Sequence, residues 1–129
     1  MFLKEKIFSG FSVDDLVKAS NFYVNILGLE IEENAMGILE LKIKGSNSII
    51  LYPKPDHDPA TFTVLNIPVD NIDKAVDELT QNGVRFEQYD GELKTDDKGI
   101  FRDTKNQMGI AWFRDPAGNI LSILETQKL

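Results

Sequence analysis

The sequence predicts an α+β protein made of two βαβββ modules. The first observation behind this is a recurring stretch. Slid by 56 positions, Val13-Asp14-Asp15-Leu16-Val17-Lys18-Ala19 lies over Val69-Asp70-Asn71-Ile72-Asp73-Lys74-Ala75, with four of the seven pairs identical. The second is that more matches follow in the same order. Gly28-Leu29 meets Gly83-Val84, and at an offset of 72 Met36-Gly37-Ile38 meets Met108-Gly109-Ile110 and Asn47 meets Asn119. The third is that each copy reads as a strand, then a helix, then three strands. A unit of about sixty residues that recurs in this way is an internal duplication.

The 129 residues fit one compact domain, and half of them alone would have a poor ratio of surface to volume. The two copies are therefore expected to share a core within a single domain, 1–129. The modules span about 1–54 and 61–129, with a proline-rich linker at 55–60 and a long loop at 90–107.

Phe8 to Val13 alternates as a strand does, with Phe11 and Val13 on one face and Ser12 on the other. Asp14 and Asp15 stand where an N-cap and a first helical turn belong. The spacing of Leu16, Ala19, Phe22, Tyr23, Ile26 and Leu27 predicts a helix to about Leu27, with Gly28 as its left-handed cap. Strands follow at Leu29–Glu33, Gly37–Lys44 and Ser48–Lys54, separated by Asn34-Ala35 and Gly45-Ser46-Asn47. The run from Pro53 to Pro59 holds three prolines and cannot stay in a ladder.

The second module opens with a strand from Thr61 to Val69, where Pro68 marks an edge or a strand end. A helix from Asn71 to Asn82 carries Ile72, Val76 and Leu79 on one stripe, with Gly83 after it. Strands are predicted at Val84–Glu87, Met108–Arg114 and Ile120–Thr126. Between the first two of these, Asp90–Gln107 is charged, contains glycine and lacks periodicity, so it reads as a binding loop or a surface excursion.

Composition excludes several classes. No apolar run approaches the ~18 residues a membrane span needs, and the first residues do not form a signal peptide. With no cysteine there is no disulfide, thiolate nucleophile or sulfur ligand, which agrees with a cytoplasmic location. A net charge of −7 gives no footprint for a phosphate backbone, so no nucleic-acid partner and no membrane are expected. It slightly favours a cationic ligand.

Asp15 followed by Phe22-Tyr23 and Leu27-Gly28-Leu29 resembles the first half of the vicinal oxygen chelate superfamily. Val69 to Ile72, Gly83-Val84 and Asp115-Pro116-Ala117-Gly118-Asn119 resemble its second half. This superfamily contains glyoxalase I, extradiol dioxygenases, fosfomycin-resistance enzymes and bleomycin-resistance proteins. The resemblance covers nearly the whole chain. It implies the glyoxalase/bleomycin resistance/dioxygenase fold, in which two modules form a curved mixed sheet around a central cleft, often in a homodimer.

The metal enzymes of that superfamily take His, Gln or Glu ligands from the first and last strand of each module, for a divalent ion such as Ni, Zn, Fe or Mn. Carried over by the repeat offsets, those positions are Phe8, Ile50, Val64 and Ser122. None is a usual ligand, and register errors of one or two residues do not supply three. The resemblance therefore leads to no expected metal cofactor and to a greasy cleft, in which burying Phe8 would contribute roughly 1.5–3 kcal/mol. Ser12 shares a strand face with Phe8, and the polar groups Tyr52, Asn66 and Ser122 could orient a small molecule. Asn66, between Leu65 and Ile67, must find partners.

Trp112 completes the candidate ligand-binding set of Phe8, Ser12, Ile50, Tyr52, Val64, Asn66, Trp112 and Ser122, either packing or stacking an aromatic ligand. His57, flanked by Asp56 and Asp58, reads as solvated linker. As the only histidine it excludes a two-histidine metal site, and any Ser-His-Asp triad would have to use it. Asp115–Asn119 reads as a structural turn. The stretches Lys94–Lys98 and Arg102–Lys105 read as solvated loop. Glu32-Glu33 and Asp96-Asp97 are not acid/base pairs without a shared buried site.

The expected function is binding of a small organic molecule in the inter-module cleft, with no assigned catalytic residue. The alternatives are a metal-dependent lyase, isomerase or dioxygenase of the glyoxalase type, a metal-free catalyst using Tyr52, Glu40 or Glu125, and a non-catalytic interaction domain with a filled cleft.

Overall fold

The structure is a computed structural model that describes residues 2–3 and 6–126. It divides into two units, Met1–Pro59 and Ala60–Leu129.

In the first unit the elements are β1 (Ser9–Val13), α1 (Leu16–Asn21), β2 (Glu30–Glu33), β3 (Leu39–Lys42) and β4 (Ile49–Pro53). The sheet order is β1-β4-β3-β2, with β1 parallel to β4 and the other pairs antiparallel. One face of this sheet buries Phe11, Val13, Leu39, Leu41 and Leu51 together with Ala19 and Tyr23. Of the two aspartates expected at the helix start, Asp15 is the N-cap and neither lies in the first turn, the Asp15 carboxylate accepting the amides of Val17 (2.9 Å) and Lys18 (3.1 Å). The predicted helix changes character midway. After Asn21 it widens into a single π turn over Phe22–Ile26, where Tyr23 is fully buried and packs edge-on to Phe22 at 5.3 Å. Gly28, at φ +74°, ends it in the left-handed conformation that a side chain would resist.

The second unit repeats the order with β5 (Thr63–Pro68), α2 (Ile72–Gln81), β6 (Ile100–Asp103), β7 (Met108–Arg114) and β8 (Ile120–Thr126), arranged β5-β8-β7-β6. Leu65, Ile100, Ala111, Phe113, Leu121 and Ile123 are buried, as are Ile72 and Val76 of α2. The α2 N-cap is Asn71, whose side chain accepts the Lys74 amide at 3.0 Å. The repeat offsets reappear in the strand registers. Gly10 faces Ile50 in β1–β4, and Asn66 faces Ser122 in β5–β8. Glu40 faces Ile50 in β3–β4, and Trp112 faces Ser122 in β7–β8. Each module therefore has the βαβββ order that the sequence predicts.

The second unit corrects the sequence reading in two places. Val84–Glu87 is not a strand: it makes only an isolated pairing of Phe86 with Phe113. The strand in its place, β6, comes from inside the stretch expected to be a loop at 90–107, which also holds a 3-10 turn at Gly91–Leu93. The reason lies along the outer edge of β7. Glu87 donates its amide to Trp112 O (2.8 Å) at one end, while β6 pairs with Met108–Ala111 at the other. The chain passes between these two segments at Gly99, with φ +88°, where a Cβ would stand 2.6 Å from Phe86 Cβ. Only glycine fits there.

The charged residues around this segment are not simply solvated either. Arg102 and Lys98 both pair with Asp73 on α2, at 2.8 and 3.3 Å, and Thr95 is buried. The Asp115–Asn119 turn is structural as expected, with Asp115 accepting the amides of Ala117 (3.0 Å) and Asn119 (2.8 Å). Among the described residues no helix is long and apolar enough to cross a membrane.

Candidate functional site

Because side chains alternate along a strand, each sheet has a second face that its own helix does not cover. In the first unit this face carries Gly10 and Ser12 of β1, Glu40 of β3, and Ile50 and Tyr52 of β4, linked by the registers Gly10–Ile50, Ser12–Tyr52 and Glu40–Ile50. A Cβ on Gly10 would fall on Ile50 Cγ1 and 3.0 Å from Ile50 O, so the isoleucine side chain lies across the bare glycine.

Phe8 and Ile50 line an open cavity of about 360 Å³ with Lys6, Glu40, Asn47 and Ser48. Phe8 precedes β1 and is 60% exposed, which corrects the expectation that it is buried. Hydrogen bonds from Ser48 and then Lys42 hold the Glu40 carboxyl below the usual carboxylate range. Glu40 therefore presents a charge and an acceptor rather than a proton. The side chain of Asn47 donates to Ile7 O at 2.7 Å, tying the segment before β1 to the β3–β4 loop.

His57 differs from the sequence reading. It is half-buried, and its Nδ1 lies 2.6 Å from Ser12 Oγ. The linker turns back because Lys54 donates to Val13 O and His57 donates to Lys54 O, both at 2.9 Å. Pro55, between them, presets the turn.

In the second unit the corresponding face is polar and aromatic. Ser122 is only 1% exposed and donates its hydroxyl to Asn66 Oδ1 at 2.7 Å, so each meets the other's hydrogen-bonding need. Asn66 itself is exposed. Beside Ser122, Trp112 is half-buried between Tyr89 (ring centroids 5.4 Å apart, 72°) and Phe101 (6.4 Å, 32°). Thr95 holds Tyr89 in place, its Oγ1 accepting the Tyr89 amide at 2.9 Å and its own amide reaching Tyr89 O at 3.0 Å. Burial pushes the Tyr89 hydroxyl pKa up. Val64 does not share the alternation of Asn66, because a bulge between Thr63 and Leu65 interrupts the ladder there.

The structure thus brings Asn66, Ser122 and Trp112 together, places Ser12 opposite Tyr52, and sets Phe8 and Ile50 in one cavity. Sequence reasoning missed Tyr89 and Phe101, which lie in or beside the stretch that shows no periodicity. It also proposed Glu125 as a catalyst, but Glu125 Oε1 accepts the Ile72 amide at 2.9 Å and so serves the start of α2.

The divalent metal implied by the resemblance does not fit these residues. Phe8, Ile50 and Val64 have no donor atom, and the Ser122 hydroxyl is engaged by Asn66. Among the described residues no three His, Cys, Asp or Glu side chains converge.

A family model described as the Glyoxalase/Bleomycin resistance protein/Dioxygenase superfamily matches residues 9–123. No curated protein matches the sequence. Similar solved structures include a member of that superfamily from Sphaerobacter thermophilus, at 23% identity and TM-score 0.72, covering 97% of this chain and 99% of the other. Another is described as a glyoxalase family protein from Bacillus anthracis, at 18% identity and TM-score 0.71, covering 98% of each chain. A third is TnmS3, an antibiotic binding protein from Streptomyces sp. CB03234, at 22% identity and TM-score 0.67, covering 98% of this chain and 99% of the other.

Proposed function

We propose that this chain, which belongs to the Glyoxalase/Bleomycin resistance protein/Dioxygenase superfamily, binds a small organic molecule with a planar aromatic part and does so without a metal ion. The observation that carries this reading is the half-buried Trp112, flanked by Tyr89 and Phe101 and adjoining the Asn66–Ser122 pair. Aromatic walls beside a few fixed polar groups make up a small-molecule site: the rings supply contact area and the polar groups set orientation. The side chains at the four ligand positions supply no metal chemistry, which favours binding over lyase or dioxygenase activity. The name of TnmS3 records antibiotic binding for that protein, and the same use of the fold suits this chain. Under this reading the protein acts as a homodimer in the cytoplasm, supported by the resemblance and by the absence of cysteine.

Trp112 is the only tryptophan, so its fluorescence reports on the site directly. Titration with an apolar fluorescent probe and a panel of aromatic amphiphiles should give saturable quenching, weakened about tenfold in Asn66→Ala. Elemental mass spectrometry on protein purified without chelator should find almost no metal, and added Ni, Zn, Fe(II) or Mn should leave Tm unchanged. About one tightly held metal per chain with a raised Tm would overturn the reading in favour of a metal-dependent lyase, isomerase or dioxygenase. No uptake of any probe would leave a filled, non-binding domain.

A further inference from the structure

A serine hydroxyl that contacts an imidazole nitrogen has the first two parts of an activated nucleophile. Ser12 and His57 stand in that relation, Oγ to Nδ1 at 2.6 Å, though 45 residues apart in sequence. The contact is built rather than incidental. Ser12 is fixed by the parallel pair β1–β4, opposite Tyr52. The Lys54–His57 turn, closed by the His57 amide on Lys54 O at 2.9 Å, returns the imidazole to β1. Lys54 engages the neighbouring Asp56 carboxylate at 2.6 Å and holds its pKa low, so that carboxylate is occupied elsewhere. Both Ser12 and His57 are half-buried, accessible to a small acyl donor yet partly screened from water.

We propose that Ser12 and His57 form a nucleophile–base dyad that accepts the acyl group of activated esters, specifically aryl esters. With the imidazole proton on Nε2, the Ser12 hydroxyl donates to Nδ1. As Oγ attacks the ester carbonyl carbon, the hydroxyl proton passes to Nδ1, the Oγ–C bond forms, and collapse of the tetrahedral adduct breaks the bond to the aryl oxygen. The phenolate leaves and takes the proton from His57. Water, deprotonated by His57, then attacks the acyl-serine, releasing the carboxylic acid and restoring the hydroxyl. A phenolate departs with little acid assistance, and this is why the substrate class is aryl rather than alkyl esters. The Ser12–His57 dyad acts independently of ligand binding at Trp112, and neither nitrophenolate release nor serine acetylation involves that site.

The test uses the full chain with p-nitrophenyl acetate, following nitrophenolate release and locating acetyl groups by peptide mass spectrometry after acid quench. Ser12→Ala and His57→Gln are compared with the parent, with circular dichroism confirming that each is folded. The expected result is acetylation at Ser12 and a release rate that falls roughly a hundredfold in both variants. Equal release in all three proteins, or acetyl groups found only on lysines, would overturn the dyad. So would Ser12 acetylation that is undiminished in His57→Gln.

Discussion

Ser122 donates its hydroxyl to Asn66 across the parallel pair β5–β8, at 2.7 Å. The equivalent pair in the first unit is Ile50 and Gly10, where an aliphatic side chain covers a glycine instead. One slot of the repeated module is thus filled with a hydrogen bond in one copy and with apolar contact in the other. The duplication preserved the backbone register while the chemistry of the two open faces diverged.

Ser122→Ala should lower stability by about 0.5–1.5 kcal/mol. The low end is expected, because Asn66 is exposed and its carbonyl can turn to water. Ser122→Asp should cost more, since it buries a charge where only 1% of the residue is exposed. Urea unfolding checks both through a lower midpoint at constant slope. A Ser122→Ala midpoint equal to that of the parent would show that the bond adds nothing.

Gly10→Ala places a methyl group on Ile50 Cγ1 and should destabilise by about 1–3 kcal/mol through overpacking. Ile50→Ala removes the clashing Cγ1, so the double variant should lose less than the sum of the singles. A double-mutant cycle measures this coupling. Strict additivity would mean that the strain lies in the strand backbone rather than in Ile50.

Much of this architecture was legible in the chain because the repeat is written in residue identities. Offsets of 56 and 72 place Gly10 over Asn66 and Ile50 over Ser122, and the ladders pair those residues in the same way. The helix ends were also legible, since the Asp14-Asp15 pair, Gly28 and Gly83 act within a few residues of themselves, whereas Asn71, read as helical, is the cap of α2. The strand Ile100–Asp103 was not. Two apolar residues followed by Arg102 and Asp103 give no alternating signal, and only the edge of β7 makes them a strand. Val84–Glu87 showed the opposite failure, reading as a strand but losing most of that edge to β6.

At the candidate site, Ser122 came from the ligand positions that the resemblance implies, Trp112 from the strand before the Asp115–Asn119 turn, and Asn66 from an alternation with Val64 that the bulge breaks. Tyr89 and Phe101 depend on how a non-periodic segment folds back. The meeting of Ser12 with His57 rests on a turn whose proline was visible but whose direction was not.

The entry into β6 is tied to α2 by charge, and this gives an acid-sensitive component of stability. Asp73 accepts from Arg102 at 2.8 Å and from Lys98 at 3.3 Å, while Arg102 also reaches Asp96 at 3.1 Å. The Arg102 guanidinium chiefly, and Lys98 after it, hold the Asp73 carboxyl below its usual range against a desolvation that raises it. A depressed folded-state pKa means that this stabilisation is fully present above the ordinary aspartate value of about 3.9. It disappears as pH falls through the lower folded value. The side chains involved are between a third and a half exposed, so solvent screening limits the total to roughly 0.5–1 kcal/mol. Asp73→Asn should therefore be less stable than the parent by about that amount at pH 7. The gap should close as pH drops below about 4, and it should shrink in roughly 1 M salt. Urea unfolding of both proteins across this pH range makes the comparison. A gap that stays constant down to the lowest pH at which both remain folded would assign the effect of Asp73 to packing at the start of α2 rather than to its charge.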